Sequence, residues 1–147
     1  MTVVCLVPEQ TYPLRHAVLW PDKPLDFVKV PDDEAGMHFG VEQDGEFVSV
    51  VSLFCEGKEA RFRKFATHPH FQRKGIGSLL LSHVMQVAQQ KGCHAIWCDA
   101  RLDAQAFYER FGMKPTSEIF YKGIIPYTKM IKYLTPTAAE NLVGVYT

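Results

Sequence analysis

The chain has 147 residues, 47 % of them hydrophobic, a length and apolar share that suit one domain with its own core. Sixteen basic residues balance sixteen acidic ones, so no net field draws the protein to nucleic acid or to an anionic membrane, and any anion site must be local. The first eight residues lack a basic leader, and no later stretch reaches membrane-spanning length, so a cytoplasmic protein with no nucleic-acid or membrane partner is expected.

Cys5, Cys55, Cys93 and Cys98 show no Cys-x-x-Cys spacing and read as free thiols, with no metal expected. Cys93 and Cys98, five apart in an expected strand, should point to opposite faces.

In chain order, Thr2 to Val7 reads as a first strand, and Pro13 as the opening of a short helix whose Leu14, Ala17 and Val18 share a face. Asp22 to Ala35 is polar and punctuated by proline, which suits a surface loop, either a flap over an acceptor site or a plain connector. Residues 37–42 and 47–54 flank Asp44-Gly45, a hairpin signal, and the second of these strands is apolar on both faces, hence central. Glu59 to Thr67 continues the meander until His68-Pro69-His70 breaks it.

Ile76, Leu79, Leu80, His83, Val84, Val87 and Ala88 recur at helical spacing, and Gly92 is a left-handed stop, which predicts the main helix over about 75–91. Cys93 to Asp99 returns as a strand, Asp103 is placed to cap a short helix carrying Ala106, Phe107, Tyr108 and Phe111, and Gly112 ends that helix. Two last strands are expected near Thr116–Tyr121 and Tyr127–Leu134. The tail 135–147 has little pattern and reads as mobile or as packing on a neighbour.

Between Thr67 and the main helix lies Gln72-Arg73-Lys74-Gly75-Ile76-Gly77-Ser78. The first turn of a helix offers unpaired N–H groups and a positive dipole end, and glycine lets a pyrophosphate approach those amides. Arg73 and Lys74 add charge-assisted bonds. A plain helix start beside a solvated basic pair is the competing reading; the order strand, breaker, basic residues, amphipathic helix favours the anion site.

Gln72-Arg73-Lys74-Gly75-Ile76-Gly77 resembles the Gln/Arg-x-x-Gly-x-Gly/Ala motif of the GNAT superfamily of N-acetyltransferases. Ala104-Gln105-Ala106-Phe107-Tyr108-Glu109-Arg110-Phe111-Gly112-Met113 resembles that family's Ala-x-x-Phe-Tyr-x-x-x-Gly-Phe helix and turn, with Met113 in place of the aromatic. Cys98-Asp99-Ala100-Arg101 is further similar to a bacterial subgroup related to ElaA.

The resemblance implies a single α/β domain over 1–147 with a mixed, largely antiparallel sheet of about seven strands and a few flanking helices, its fourth and fifth strands splayed. It implies acetyl-CoA as co-substrate, its pyrophosphate held by residues 72–78, its pantetheine paired with the backbone of Phe65, Ala66 and Thr67, and Phe107 beside it. The implied reaction is direct acyl transfer to an amine, either a small molecule or a protein or peptide amine, with Tyr108 meeting the coenzyme A sulfur. Core packing is the competing role for Tyr108. Whether the chain forms a homodimer stays open.

An alkyl amine is mostly protonated at neutral pH and must lose a proton before attack; His38, Glu42, Glu59, His68 and Glu118 are the candidate bases, with water as a relay. Arg101 is suited to an acceptor carboxylate or phosphate, or to a structural ion pair. Two rivals remain. One is an acyl-CoA-binding module that transfers nothing. The other is a dinucleotide site at Gly75-Ile76-Gly77 with Asp99 as ribose ligand, which Leu80 at the third small position and Pro69 before the glycines disfavour.

Overall fold

The computed structural model describes residues 1–135, so the expected tail lies outside the described residues except for Thr135. The strands form a mixed sheet in the order β1-β2-β3-β4-β5-β8-β6, with β7 paired to β8. The pair β4–β5 is parallel. The chain divides into two compact units, Met1–Phe54 with Phe62–Gln86, and Cys55–Arg61 with the chain from Val87 onward.

In the first unit, Asp44 and Gly45 take φ of 53° and 84°. Two successive left-handed residues give the backbone twist that a two-residue hairpin needs, and they join β2 (Met37–Gln43) to β3 (Glu46–Glu56). Val48 to Leu53 of β3 are buried without interruption, as expected of a central strand. β1 (Val3–Leu6) lies antiparallel to β2, with Cys5 opposite Phe39. A Cβ on Gly40 would come within 2.7 Å of Leu6 Cδ1 and 3.1 Å of the Ser49 carbonyl, so close strand packing requires glycine there. β4 runs from Glu59 to Thr67, as the sequence indicates.

The main helix, α2, spans Ile76–Gln90. Ile76, Leu80, Leu81, Val84 and Ala88 are at most 1 % exposed. Each such aliphatic chain larger than alanine contributes about 1.5–3 kcal/mol through burial. Leu79, expected on this stripe, is exposed instead, and His83 packs edge-on against Phe39 at 4.8 Å.

The first helix differs from expectation. It begins at Pro8, not Pro13: α1 is Pro8–Leu14 and runs on as a wide π-type turn over Arg15–Leu19. Pro8 suits the first helical position, Gln10 Oε1 accepts from the Val7 N–H at 2.8 Å, and Pro13 lies inside the helix.

The 22–35 segment contains two short 3₁₀ turns, Leu25–Val28 and Asp33–Ala35. Val28, Val30 and Asp33 are buried. Arg15, fully buried on the helical segment, donates to both Asp33 carboxylate oxygens at 2.9 Å, to the Val28 carbonyl at 3.0 Å and to Ser52 Oγ at 2.8 Å. The charge pair thereby fixes the segment to the first helical segment, and the bond from Arg15 to Ser52 ties both to β3, which the polar composition of 22–35 did not reveal.

In the second unit, β5 is Ala95–Arg101, and a 3₁₀ turn (Leu102–Ala104) leads into α3 (Gln105–Glu109). Asp103 does not cap this helix; Ala104 holds the cap position without a side-chain bond. Cys93 precedes β5 rather than lying in it, so the expected opposite-face geometry with Cys98 does not apply; both are buried. Three strands follow instead of two: β6 (Lys114–Pro115), β7 (Phe120–Lys122) and β8 (Ile125–Tyr133), which makes eight strands among the described residues. The additional strand is β6, which pairs with β8 through Lys114 and Pro115, opposite Ile131 and Met130, while Gly123, at φ 63°, turns the expected β7 back on β8.

Candidate active site

In the first unit, the Thr67 Oγ1 and Ser49 Oγ hydroxyls share a 2.8 Å hydrogen bond, and the His68 N–H donates to the Val48 carbonyl at 2.8 Å, which fixes the end of β4. A 3₁₀ turn, Pro69–Phe71, turns the chain, and Gln72 Nε2 donates back to the Thr67 carbonyl at 3.0 Å. The motif glutamine therefore ties the basic loop to the strand end. Phe65 packs edge-on to Phe62 at 6.3 Å, and Ala66 is buried in the core beneath. Lys64, at φ 55°, interrupts the regular strand conformation just before them.

Residues 72–75 are exposed, with Arg73 at φ 61° and Gly75 at φ 82°, and the chain then enters α2 at Ile76. A Cβ built on Gly75 would meet nothing within 4 Å. The glycine is required by its φ rather than by packing, and the space beside its amide is open to a ligand. An exposed loop with Arg73 and Lys74 leads into the N-terminus of a 15-residue helix that includes Gly77 and Ser78 in its first turn, an arrangement that can hold an anion.

In the second unit, Tyr108 is buried in α3, its ring 5.3 Å from that of Phe107, which stands 5.3 Å from Phe111. Gly112 at φ 87° closes the helix, and the N–H of the buried Met113 donates to the Tyr108 carbonyl at 3.3 Å. Burial, and then the nearby Cys98, push the Tyr108 hydroxyl far above its usual pKa, while Arg101 acts in the opposite direction. At any working pH the phenol is protonated, so it can donate a hydrogen bond but cannot serve as a base.

The candidate bases separate by their surroundings. His38 is buried: Nε2 faces the Asp33 carbonyl at 2.8 Å and Nδ1 faces Ser52 Oγ at 2.6 Å. A carbonyl only accepts, so Nε2 carries the proton, and the Nδ1 lone pair is taken by the Ser52 hydroxyl, whose oxygen accepts from Arg15. His68 Nδ1 accepts from the His70 N–H at 3.1 Å, which places the proton of the neutral ring on Nε2. In both neutral imidazoles the basic lone pair is already engaged. Glu42, Glu59 and Glu118 are exposed. Sequence reasoning missed Arg15, Asp33 and Ser52; an arginine among the apolar residues of the first helix was the available signal.

A model of the Acetyltransferase (GNAT) family matches residues 7–113. The chain belongs to this family. It is 31 % identical over 121 residues to the uncharacterized N-acetyltransferase YitI of Bacillus subtilis (strain 168), covering 76 % of this chain and 81 % of that one. It is 27 % identical over 100 residues to the ribosomal protein bS18-alanine N-acetyltransferase of Escherichia coli (strain K12), covering 66 % of each. Crystalline Escherichia coli ElaA has the same fold, with a TM-score of 0.76 at 18 % identity over 90 % of this chain and 99 % of that one. The GNAT chain is thus an acyl-CoA-dependent N-acetyltransferase, and β4–β5 is the parallel strand pair at which the family's sheet splays.

Proposed function

We propose that this acetyltransferase moves an acetyl group from acetyl-CoA directly to an amine, with no acyl-enzyme intermediate. The observation that carries the proposal is the exposed, glycine-containing basic loop entering α2, an anion cradle of the kind a pyrophosphate requires. Gln72, Arg73, Lys74, Gly75, Ile76, Gly77 and Ser78 hold the pyrophosphate. The backbone of Phe65, Ala66 and Thr67 pairs with the pantetheine arm, and Phe107 lies against the cofactor.

The amine nitrogen attacks the thioester carbonyl, the tetrahedral intermediate collapses, and the coenzyme A thiolate leaves. Tyr108 is assigned to the thiolate. With ordinary values of about 10 and about 8.5, full proton transfer from a phenol to a thiolate is uphill by roughly 2 kcal/mol. Burial raises the phenol further. Tyr108 therefore stabilises the developing charge by a hydrogen bond and keeps its proton. With the lone pairs of His38 and His68 engaged, Glu42, Glu59, Glu118 or water is left to take the proton lost by the amine. Four free thiols fit a reducing compartment, the cytoplasm.

Incubating the protein with acetyl-CoA and a panel of amines while recording free thiol tests the proposal: amine-dependent thiol release with an acetylated amine product supports it. Saturable acetyl-CoA binding with no amine-dependent release from any amine would instead make the chain a binding module.

A further inference from the structure

The peptide that joins Thr67 to His68 faces two ways. Its N–H donates to the Val48 carbonyl of β3 at 2.8 Å. A trans peptide directs its C=O opposite to its N–H, so the Thr67 carbonyl points away from β3, toward the other edge of β4. On that edge the register with β5 runs from Glu59 to Arg61. Beyond it, the Thr67 carbonyl accepts from Gln72 Nε2 at 3.0 Å.

The turn between these two residues keeps its own shape. The His70 N–H donates to His68 Nδ1 at 3.1 Å, and the Phe71 N–H donates to the His68 carbonyl at 2.8 Å. The Gln72 side chain adds the bond that spans the whole turn, from the strand end to the first residue of the basic loop. The strand end is itself anchored, because the Thr67 hydroxyl shares its 2.8 Å bond with the buried Ser49. The backbone N–H of Gln72 is directed at the Pro69 carbonyl, 3.4 Å away. Both nitrogens of Gln72 are thus engaged within the loop, while Arg73 and Lys74 beside it are exposed.

We infer that Gln72 takes its part in the cradle as a positioning residue. Its side chain, rather than touching phosphate, fixes the Thr67 carbonyl, where the pantetheine arm pairs, in relation to the loop amides that receive the pyrophosphate. The inference rests on the acyl-CoA reading proposed above. A carbonyl oxygen has two lone pairs, so with one held by Gln72 the other is left for a pantetheine N–H. A ligand that reaches both the strand end and the loop gains from their fixed spacing, since that order is not lost as entropy on binding; a ligand that reaches only the loop does not.

Calorimetry with coenzyme A and with its nucleotide half, adenosine 3′-phosphate 5′-diphosphate, tests this in the wild type and in Gln72→Met, which keeps the side-chain length and removes the donor. In the variant, coenzyme A affinity should fall about three- to tenfold while nucleotide affinity stays within about twofold, so the ratio of the two falls. Gln72→Arg, which keeps a side-chain donor, should restore that ratio, with circular dichroism unchanged throughout. A loss for the nucleotide as large as that for coenzyme A would mean that the side chain touches phosphate or merely supports the loop. Unchanged coenzyme A affinity would mean that the bond to Thr67 has no part in binding. Either result overturns the inference and leaves the transferase function standing. A wild-type protein that binds neither ligand would instead overturn the acyl-CoA reading, and this inference with it.

Discussion

Arg15 and Asp33 meet as a bidentate ion pair, two bonds of 2.9 Å with neither side chain more than 5 % exposed. Burial pushes the Asp33 carboxyl up, but the hydrogen bonds from Arg15 and from the Val30 N–H, with the charge of Arg15, outweigh it and hold the group below the ordinary carboxylate value. Removing one partner leaves the other charge buried and uncompensated. Asp33→Asn should cost about 3–5 kcal/mol, lowering the melting temperature by roughly 10 °C.

The same pair sets an acid limit. The folded-state value of Asp33 lies below its unfolded value of about 3.9, so its contribution is complete well above that value and is lost as pH falls through the folded value. Urea midpoints measured between pH 6 and pH 3 should decline mainly below about pH 4, and the part of that decline due to Asp33 should be absent in Asp33→Asn.

Much of the architecture is legible in the sequence because local signals agree with the fold. Asp44-Gly45 demands its hairpin, the apolar stripe and Gly92 define α2, and β4 begins and ends where its alternation does. The basic loop is legible too, since glycine, cations and a helix start are all local. What stayed hidden is non-local: the partner of Arg15 lies eighteen residues away in a proline-punctuated segment, and the two cations over Trp97, Arg61 and Lys129, come from β4 and β8. Pro13 misled the helix start because Pro8, five residues earlier, already holds the first helical position and Pro13 lies inside α1.

The cradle should respond to backbone change. At φ 82°, Gly75→Ala pays about 1–2 kcal/mol to keep the wild-type loop, or else moves the amide facing the ligand. Acetyl-CoA affinity by calorimetry should fall about tenfold with the fold retained, and Gly77→Val, in the first turn of α2, should fall at least as far. Unchanged affinity in both would remove the loop from the site.

The thiols should label in order of access. Cys5 and Cys55 are exposed; Cys93 and Cys98 are buried and should react only on unfolding. Cys55 is exposed as a residue, but its thiol is partly shielded from water beside Cys93, and the two effects push it up to about 11, so its alkylation, followed by mass spectrometry, should be slow at neutral pH and accelerate about tenfold per pH unit until near that value. Fast labelling of Cys55 at pH 7 would contradict the described surroundings.

Tyr108→Phe keeps the ring against Phe107 and removes only the hydroxyl. With loss of one transition-state hydrogen bond, kcat should fall by roughly tenfold to a few hundredfold while the dissociation constant for acetyl-CoA stays the same. Loss of binding instead of turnover would make Tyr108 a packing residue.

Direct transfer is tested most plainly by initial rates of thiol release measured while acetyl-CoA and a productive amine are varied together, with the intact mass of the protein followed during turnover. Transfer within a complex of both substrates predicts intersecting double-reciprocal lines and a protein mass that never gains an acetyl group. Parallel lines with a transiently acetylated protein would contradict it.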